Sequence, residues 1–372
     1  MSLMLATGLT VISAVNASPS SWTCHYLAER LPRALILLGE DTLSAEETRA
    51  ARKRLSLADA VLTRASGLSL ARSLGATRLV MARCLDERGG ATIEAQSFDV
   101  EQPISGDPVR VRQTLANLPS AIDQVARLLS PGAAGPDASS FRAPSSRALS
   151  MAGAALTNQN AGDRARGLRL ALNEDRGSLD LRLSTVEALI AARDFDAAVE
   201  VAGAVPAQSG PPALARLLAF ESAAALLESG RYAEASVALE GLRREKETGA
   251  VLNNLGVAQF RMRDPQASSY FERASFSTDF RQRDIAFNRV LALIFENKAD
   301  RALPILDAAL RVPAPDVRTR LLRVWALALL KRDAERSEEW NRLIAAAPSF
   351  ASLGVPDLAR RLERIFLFEQ HP

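Results

Sequence analysis

The side chains that most often carry catalysis or bind metals are scarce in this sequence. Its 372 residues include two histidines, His25 and His371, and two cysteines, Cys24 and Cys84. Neither cysteine has a second cysteine or a histidine at metal-ligand spacing, and the pair permits one disulfide without implying it. No matched nucleophile or carboxylate stands near either histidine, and no phosphate loop or nucleophile elbow occurs. The sequence therefore predicts no catalytic centre, no metal site and no cofactor.

The charge balance argues against nucleic acid as a partner. Lys and Arg total 46 against 43 Asp and Glu, so the net charge is only +3, although the isoelectric point is about 9.1. Phosphate binding requires basic residues gathered on one face, and the sequence has no such stripe. The 48% share of hydrophobic residues is enough for full cores, so the chain is predicted to fold.

The amino-terminal segment has two readings. Leu3 to Val15 is an apolar run of signal-peptide length, and Val15-Asn16-Ala17 has the small residues of a cleavage site. However, no Lys or Arg precedes the run, and its β-branched residues suit a buried strand. We therefore expect a first strand and a cytoplasmic protein, with a periplasmic or envelope location as the alternative if residues 1–17 act as a signal peptide. No other stretch approaches the ~20 apolar residues that span a bilayer, so no integral membrane segment is predicted.

Residues 1 to 130 have the pattern of one small α/β domain. After the strand, apolar residues recur at helical spacing from Trp22 to Leu38, and a short charged helix follows the capping box of Ser44 and Glu47. A third helix is expected to end at Gly75. Two strand-like runs then flank a Gly-Gly turn, and an amphipathic helix is predicted from Val111 to Leu129, with a kink at Pro119.

This first domain resembles the amino-terminal α/β domain of TolB-type and FlgO-type bacterial envelope proteins. The likeness lies in the strand followed by Asn16, in the Trp22 to Leu38 helix, and in Ser69-Leu70-Ala71-Arg72-Ser73-Leu74-Gly75-Ala76-Thr77-Arg78-Leu79-Val80 leading into the hairpin. The resemblance implies an assembly module without catalysis, whose first strand stays in the mature protein.

A linker is predicted at residues 131–144, which are rich in Ser, Pro, Gly and Ala, and helical segments alternate with short breaks from residue 145 to 372. An alanine followed by apolar residues at the third, fourth and seventh positions recurs in these segments. The intervals are 33, 37, 32 and 35 residues, which bracket the 34-residue period of tetratricopeptide repeats. A sixth, weaker unit has Ser337 at this place. The recurring alanines are Ala165, Ala198, Ala235, Ala267 and Ala302.

These segments resemble the tetratricopeptide repeat (TPR) family. The likeness is carried by Gly230-Arg231-Tyr232-Ala233-Glu234-Ala235, by Arg193-Asp194-Phe195-Asp196-Ala197-Ala198, and by Asn254-Leu255-Gly256-Val257-Ala258. Small residues are expected where the two helices of a hairpin cross, and stacked hairpins expose a concave face. The segment from Pro356 to Phe368 has one apolar face, which is typical of a capping helix.

The resemblance also suggests partner-binding residues. In the family, an Asn just before the Leu-Gly pair often bonds the backbone of an extended peptide. Asn254 stands at this place, and Asn288 follows 34 residues later, so both side chains are expected to point the same way. Arg261 and Arg281 lie nearby and would favour an acidic or carboxylate-ended partner. The alternatives are that each Asn caps or solvates its helix and that the arginines belong to a solvated face.

The sequence thus predicts two domains, a small α/β domain with a mixed sheet and an all-α TPR superhelical solenoid. We expect a non-enzymatic adaptor that binds a protein or peptide partner, with the oligomeric state left open. One alternative is an exported subunit that helps to assemble an envelope structure. The other is a regulator whose first domain senses a ligand.

Overall fold

The structure is a computed structural model, and it describes residues 10–16, 21–40, 42–43, 45–54, 57, 62–74, 76–102, 104–131, 143–203, 212–276, 282–311 and 317–348. Several predicted features lie outside these residues: the apolar run before Thr10, Ser44 of the predicted capping box, Gly75 at the end of the predicted third helix, most of the linker, Arg281 and the predicted capping helix after Pro356. Within the described ranges, no helix combines the length and the apolar character that crossing a bilayer requires.

A four-stranded mixed sheet organises the first part of the chain. The strands are β1 Thr10–Asn16, β2 Arg78–Glu87, β3 Gly90–Asp99 and β4 Val109–Thr114. Their order in the sheet is β1-β2-β3-β4, in which β1 pairs parallel with β2 and the other neighbours are antiparallel. Gly89, with φ of +78°, turns the β2–β3 hairpin, as the Gly-Gly signal predicts.

Helices cover both faces of this sheet. The helices are α1 Trp22–Leu37, α2 Ala45–Arg54, α3 Arg64–Ser73 and α4 Leu118–Leu129. One face of the sheet packs on α1 and α4 through buried residues such as Val80, Ile93 and Val111, and the other face packs on α3 through Leu79 and Phe98. The predicted mixed sheet with helices is therefore confirmed.

The predicted helix from Val111 to Leu129 is wrong in its first half. Val109 to Thr114 form the edge strand β4, because the alternation of Val and Arg there has the period of a strand, with Val111 buried and Arg110 and Arg112 exposed. The helix begins at Leu118. Pro119 stands in its first turn, where its missing N–H costs nothing, so it starts the helix and does not kink it.

In the part of the chain that the structure describes, twelve helices in six hairpins follow. The first helices of the hairpins begin at residues 146, 179, 212, 249, 282 and 317, at intervals between 33 and 37 residues. This is the hairpin-repeat architecture of TPR proteins. The helices are α5 Ser146–Leu156, α6 Ala161–Glu174, α7 Leu179–Ala191, α8 Phe195–Gly203, α9 Pro212–Glu228, α10 Tyr232–Glu245, α11 Gly249–Arg261, α12 Ala267–Phe276, α13 Gln282–Phe295, α14 Ala299–Ala309, α15 Val317–Leu329 and α16 Asp333–Ala346.

The turn inside five of these hairpins has one geometry. A single residue takes the left-handed conformation, with φ between 56° and 80°, and its N–H and that of the next residue close the preceding helix. At Arg263, for example, the N–H donates to the carbonyl of Phe260 and the N–H of Asp264 donates to that of Gln259. The left-handed residues are Arg193, Gly230, Arg263, Asn297 and Lys331.

Small residues lie at the helix crossings, as the repeat pattern predicts. The five recurring alanines are all buried, with exposures from 0% to 3%. At Gly256 a Cβ would come 2.6 Å from the ring of Phe271, so α11 and α12 touch there. Ser337 is exposed, and its assignment to the alanine place of the sixth hairpin is wrong.

The chain divides into two compact units, one reaching from the sheet to Glu234 and one from Ala235 onward. In the first unit a single buried core runs from the sheet through α1 and α4 into α5, α6, α7, α8 and α9. The α/β part and the first hairpins therefore share one core. The predicted domain bounds at residues 130 and 145 stay a prediction.

Candidate functional site

The two predicted asparagines occupy one register position in successive hairpins. Asn254 and Asn288 each precede the left-handed residue of their own turn by nine positions, and both side chains are fully buried. Asn288 Nδ2 donates to Asn253 Oδ1 at 2.8 Å, and Asn253 Nδ2 donates to Asn254 Oδ1 at 3.3 Å. The amides therefore join α11 to α13. Their role in holding a partner stays a prediction.

The two predicted arginines are not seen together. Arg261 lies in the last turn of α11 and is half-buried, whereas Arg281 falls outside the described residues. Their shared recognition of a carboxylate stays a prediction.

An aromatic row crosses the first helices of the last three hairpins. The Phe260 ring meets the Phe295 ring edge to face at a centroid distance of 5.3 Å, and Phe295 meets Trp325 in the same way at 5.2 Å. All three side chains are half-buried. Since α11, α13 and α15 are neighbours, the row forms a stripe across them, which we call the aromatic row.

The helices of the aromatic row also carry cationic and exposed apolar side chains. The Arg318 guanidinium lies 5.4 Å from the ring centre of Phe287, a cation–π contact between α15 and α13. Met262 is 39% exposed and Leu329 is 42% exposed, at the ends of α11 and α15. Arg261 follows Phe260 directly in α11. Helices α11 and α15 thus carry arginines as well as members of the aromatic row.

In the first unit, helix α1 packs on α7 at the register position that Asn254 occupies in α11. Ser184 precedes the left-handed Arg193 by nine positions, the register of Asn254 in α11. Arg33 of α1 donates from Nη1 to Ser184 Oγ and to Asp180 Oδ1, both at 2.8 Å. Its Nη2 donates to Glu187 Oε2, also at 2.8 Å.

A second buried arginine ties α1 to both α4 and α7. Arg30 Nη2 donates to the two carboxylate oxygens of Asp123 at 2.9 and 2.8 Å, and its Nη1 lies 3.2 Å from Asp180 Oδ2. The Tyr26 hydroxyl donates to the same Asp180 oxygen at 2.8 Å. We call Tyr26, Arg30, Arg33, Asp180 and Glu187 the buried ion cluster.

The two carboxyl groups of the buried ion cluster, Asp180 and Glu187, have pKa values shifted in opposite directions. Burial alone would raise the pKa of Asp180, but Arg30 and Arg33 outweigh it and lower the pKa to about 2. Burial raises the pKa of Glu187 to about 8 despite the attraction of Arg33, and Glu29 adds to the rise by repulsion. Asp180 is therefore the anion of the cluster at neutral pH, whereas Glu187 is held close to its protonated form.

Apolar packing also holds α1 against the hairpins. A Cβ at Gly153 of α5 would come 2.3 Å from the Trp22 ring, so the α5 backbone lies directly against α1. Helix α1 also contacts α9, whose Leu217 belongs to the same core. One helix of the α/β part thus lies across α5, α7 and α9, the first helices of three successive hairpins.

The described part of the chain holds no group of three or more His, Cys, Asp or Glu residues that could bind a metal ion. Its strongly perturbed carboxyl groups lie in the buried ion cluster. There they hold helices together through ion pairs with Arg30 and Arg33.

Sequence reasoning did not find the buried ion cluster or the aromatic row. The available signal for the cluster was in α1, where Arg30 and Arg33 interrupt an apolar stripe, because a buried arginine requires a carboxylate partner. For the row, the signal was a large aromatic residue near the end of successive first helices. Both partners in each contact lie far apart in sequence, so local patterns do not pair them.

No family model and no curated protein matches the chain. Several solved structures are similar to it. PilF of Pseudomonas aeruginosa is 20% identical with a TM-score of 0.44, covering 58% of this chain and 96% of that one. YrrB, described as a TPR protein with an unusual peptide-binding site, is 17% identical with a TM-score of 0.40, covering 53% and 100%. The APC/C hetero-tetramer Cut9–Hcn1 is 15% identical with a TM-score of 0.45, and the match covers 57% of this chain and 42% of that one.

Proposed function

We propose that this protein is a non-enzymatic adaptor that binds an amphipathic helix of a partner protein on the first-helix face of α11, α13 and α15. The observation that carries the proposal is the aromatic row of Phe260, Phe295 and Trp325, which is half-exposed on three neighbouring helices. Partly exposed aromatic side chains in a rigid row are the typical anchors of protein interfaces, since they bring a large area at little entropic cost.

The first unit supports a helix as the bound element. There α1 lies across the first helices α5, α7 and α9 and is anchored by Arg33 and by packing against Gly153. The same chain therefore already holds one helix on its first-helix face. Amphipathic helices commonly enter such grooves with apolar residues on one side and charged residues at the rim.

Charge favours acidic residues at the edges of the partner helix. Arg318 of α15 contacts Phe287 of α13, and Arg261 follows Phe260 directly in α11; we propose that these two cations and Arg281 take part in binding the partner. A carboxylate between such arginines gains charge-assisted hydrogen bonds. Asn254 and Asn288 complete the proposed site by fixing the spacing of α11 and α13 behind the row.

We also propose that the amino-terminal apolar run is not cleaved off and that the protein is cytoplasmic. The parallel pairing of β1 with β2, from Thr10 beside Arg78 to Asn16 beside Cys84, supports this proposal, because the strand completes the sheet. Amino-terminal sequencing of the protein from its own cells is the test. A start at Ser18 would contradict it and favour export.

The binding proposal is tested by selection from a displayed library of peptides about 18 residues long, or five helical turns. We expect enriched peptides to place large apolar residues at helical spacing with Asp or Glu beside them. Their affinity should fall by about tenfold or more for the double variant Phe295→Leu with Trp325→Leu. Arg261→Glu should weaken the acidic peptides in particular.

The matched control is Val237→Ala, which removes a 77% exposed apolar side chain from the second helix α10. It should bind the selected peptides like the wild type, and circular dichroism should show all variants folded. Equal binding by the folded double variant would remove the aromatic row from the site and contradict the proposal.

A further inference from the structure

We propose that Cys24 and Cys84 are a disulfide-forming pair, which under oxidising conditions ties the first turn of α1 covalently to strand β2. They are the only two cysteines of the chain, and they stand 60 residues apart in sequence. The fold brings them together, with Cys24 Sγ 3.2 Å from the carbonyl oxygen of Cys84. Both are free and buried, each only 1% exposed.

The two thiols face each other across the contact between α1 and the sheet. Cys84 Sγ lies 3.4 Å from Thr23 Oγ1, the neighbour of Cys24 in the same helical turn. Each sulfur is therefore within a few ångströms of the other residue's segment, on elements whose packing is fixed by the core of the first unit. The two thiol groups also hydrogen-bond to each other, so we infer that they reach disulfide geometry without large backbone movement.

Local chemistry distinguishes the two sulfurs. The Cys24 N–H donates to the N-cap oxygen of Ser21 at 3.4 Å, so this cysteine lies in the first turn of α1, where the helix dipole favours a thiolate. Hydrogen bonding with the Cys84 thiol lowers the pKa of Cys24 and raises that of Cys84, which burial raises further. Its place in the first turn of α1 makes Cys24 the attacking sulfur and Cys84 the resolving one.

The reaction is a thiol–disulfide exchange with a low-molecular-weight disulfide such as oxidised glutathione. The Cys24 thiolate attacks one sulfur of the oxidant, whose S–S bond breaks and releases one glutathione thiolate. Cys84 then loses its proton and attacks Cys24 in the mixed disulfide, releasing the second thiolate. The protein loses two electrons and two protons in total, and the oxidant gains them. Because both sulfurs are buried, local opening of α1 sets the rate.

The bond would act on the helix that carries the buried ion cluster. Cys24 is two positions before Tyr26, so a cross-link to β2 would pin the beginning of α1 to the sheet. In a reducing compartment the pair stays as thiols, and in an oxidising one it becomes a bridge. The redox state therefore also separates the two predicted locations of the protein.

The test equilibrates the full-length folded protein with oxidised glutathione, followed by acid quenching, alkylation and mass spectrometry. We expect loss of both alkylatable thiols, a mass lower by about 2 Da, and a cross-linked peptide pair containing Cys24 and Cys84. The midpoint of thermal unfolding should rise by several degrees and return after reduction with dithiothreitol.

The control variant Cys84→Ala removes the resolving sulfur and should accumulate a glutathione adduct at Cys24. The proposal is overturned if the wild type at equilibrium keeps two free thiols or carries stable glutathione adducts, while the same protein forms the disulfide when unfolded in that buffer. It is also overturned if the disulfide forms and lowers the unfolding midpoint.

Discussion

Arg33 Nη1 donates to Asp180 Oδ1 at 2.8 Å, and both side chains are almost completely buried, at 5% and 1% exposure. The two residues are 147 positions apart and belong to the α/β part and to the second hairpin. A buried pair of this kind is costly to desolvate, and it is tolerated only when every charge has partners. It therefore fixes where α1 lies on the hairpins of the first unit.

Removing Arg33 should destabilise the protein strongly. Arg33→Met leaves the buried anion of Asp180 with Arg30 but without its second cation, and breaking a buried ion pair typically costs about 3–5 kcal/mol. Urea unfolding followed by circular dichroism measures the loss. The matched control is Arg83→Met, because Arg83 is 57% exposed in its pair with Glu94 and such pairs contribute at most about 1 kcal/mol. Equal losses in the two variants would contradict the structural role of the cluster.

Glu187 should make the protein less stable in alkali. Its pKa is raised to about 8 in the folded state from the ordinary value of 4.5, so folding favours the protonated form. This contribution is complete below pH 4.5 and is lost as the pH rises through 8. The Gln side chain of Glu187→Gln cannot ionise. The thermal unfolding midpoint of this variant should therefore rise relative to that of the wild type as the pH increases from 6 to 9. A difference that does not change over this interval would contradict the assignment.

How much the sequence reveals differs between the repeats and the site. The hairpins were predictable because each repeat shows its own periodicity and a buried alanine such as Ala198 or Ala235. Strand β4 was missed because Val111 fits a helical and a strand period equally well over so short a segment. The ion cluster was missed because Arg33 and Asp180 are joined only by tertiary packing.

Adding a methyl group at Gly256 should reveal the close approach of α11 and α12. In Gly256→Ala the new Cβ would meet the Phe271 ring at 2.6 Å, and such overpacking costs about 1–3 kcal/mol. The control is Gly241→Ala in α10, where nothing lies within 4 Å, so the better helix propensity should stabilise by about 0.5–1 kcal/mol. The thermal unfolding midpoints of the two variants, each compared with the wild type, measure these effects. A gain at Gly256 as large as that at Gly241 would rule out the close crossing.

Substitution of a left-handed turn residue by glycine should stabilise the protein. Arg263 has φ of 60°, a conformation that costs a non-glycine residue about 1 kcal/mol or more. Arg263→Gly should therefore raise the free energy of unfolding by about 1 kcal/mol. The reverse change Gly230→Ala, at φ of 80°, should lower it by a similar amount. A destabilised Arg263→Gly variant would mean that the arginine side chain makes contacts that outweigh the backbone strain.

These turns also show which backbone conformations the sequence does not predict. Gly230 announces its turn, since glycine favours positive φ, whereas Arg193, Arg263 and Lys331 adopt the same geometry without any residue preference for it. Their conformation is set by the packing of the two helices that each turn connects. The register of Asn254 and Asn288 was visible in the sequence, but their full burial was not.

Hydrogen–deuterium exchange of the whole protein, with and without a library-selected peptide, tests the central proposal most directly. Binding on the aromatic row should slow amide exchange in α11, α13 and α15, centred on the turns that carry Phe260, Phe295 and Trp325. The second helices α12, α14 and α16 should exchange at unchanged rates. Protection confined to those second helices or to the sheet would place the partner elsewhere and contradict the proposed adaptor face.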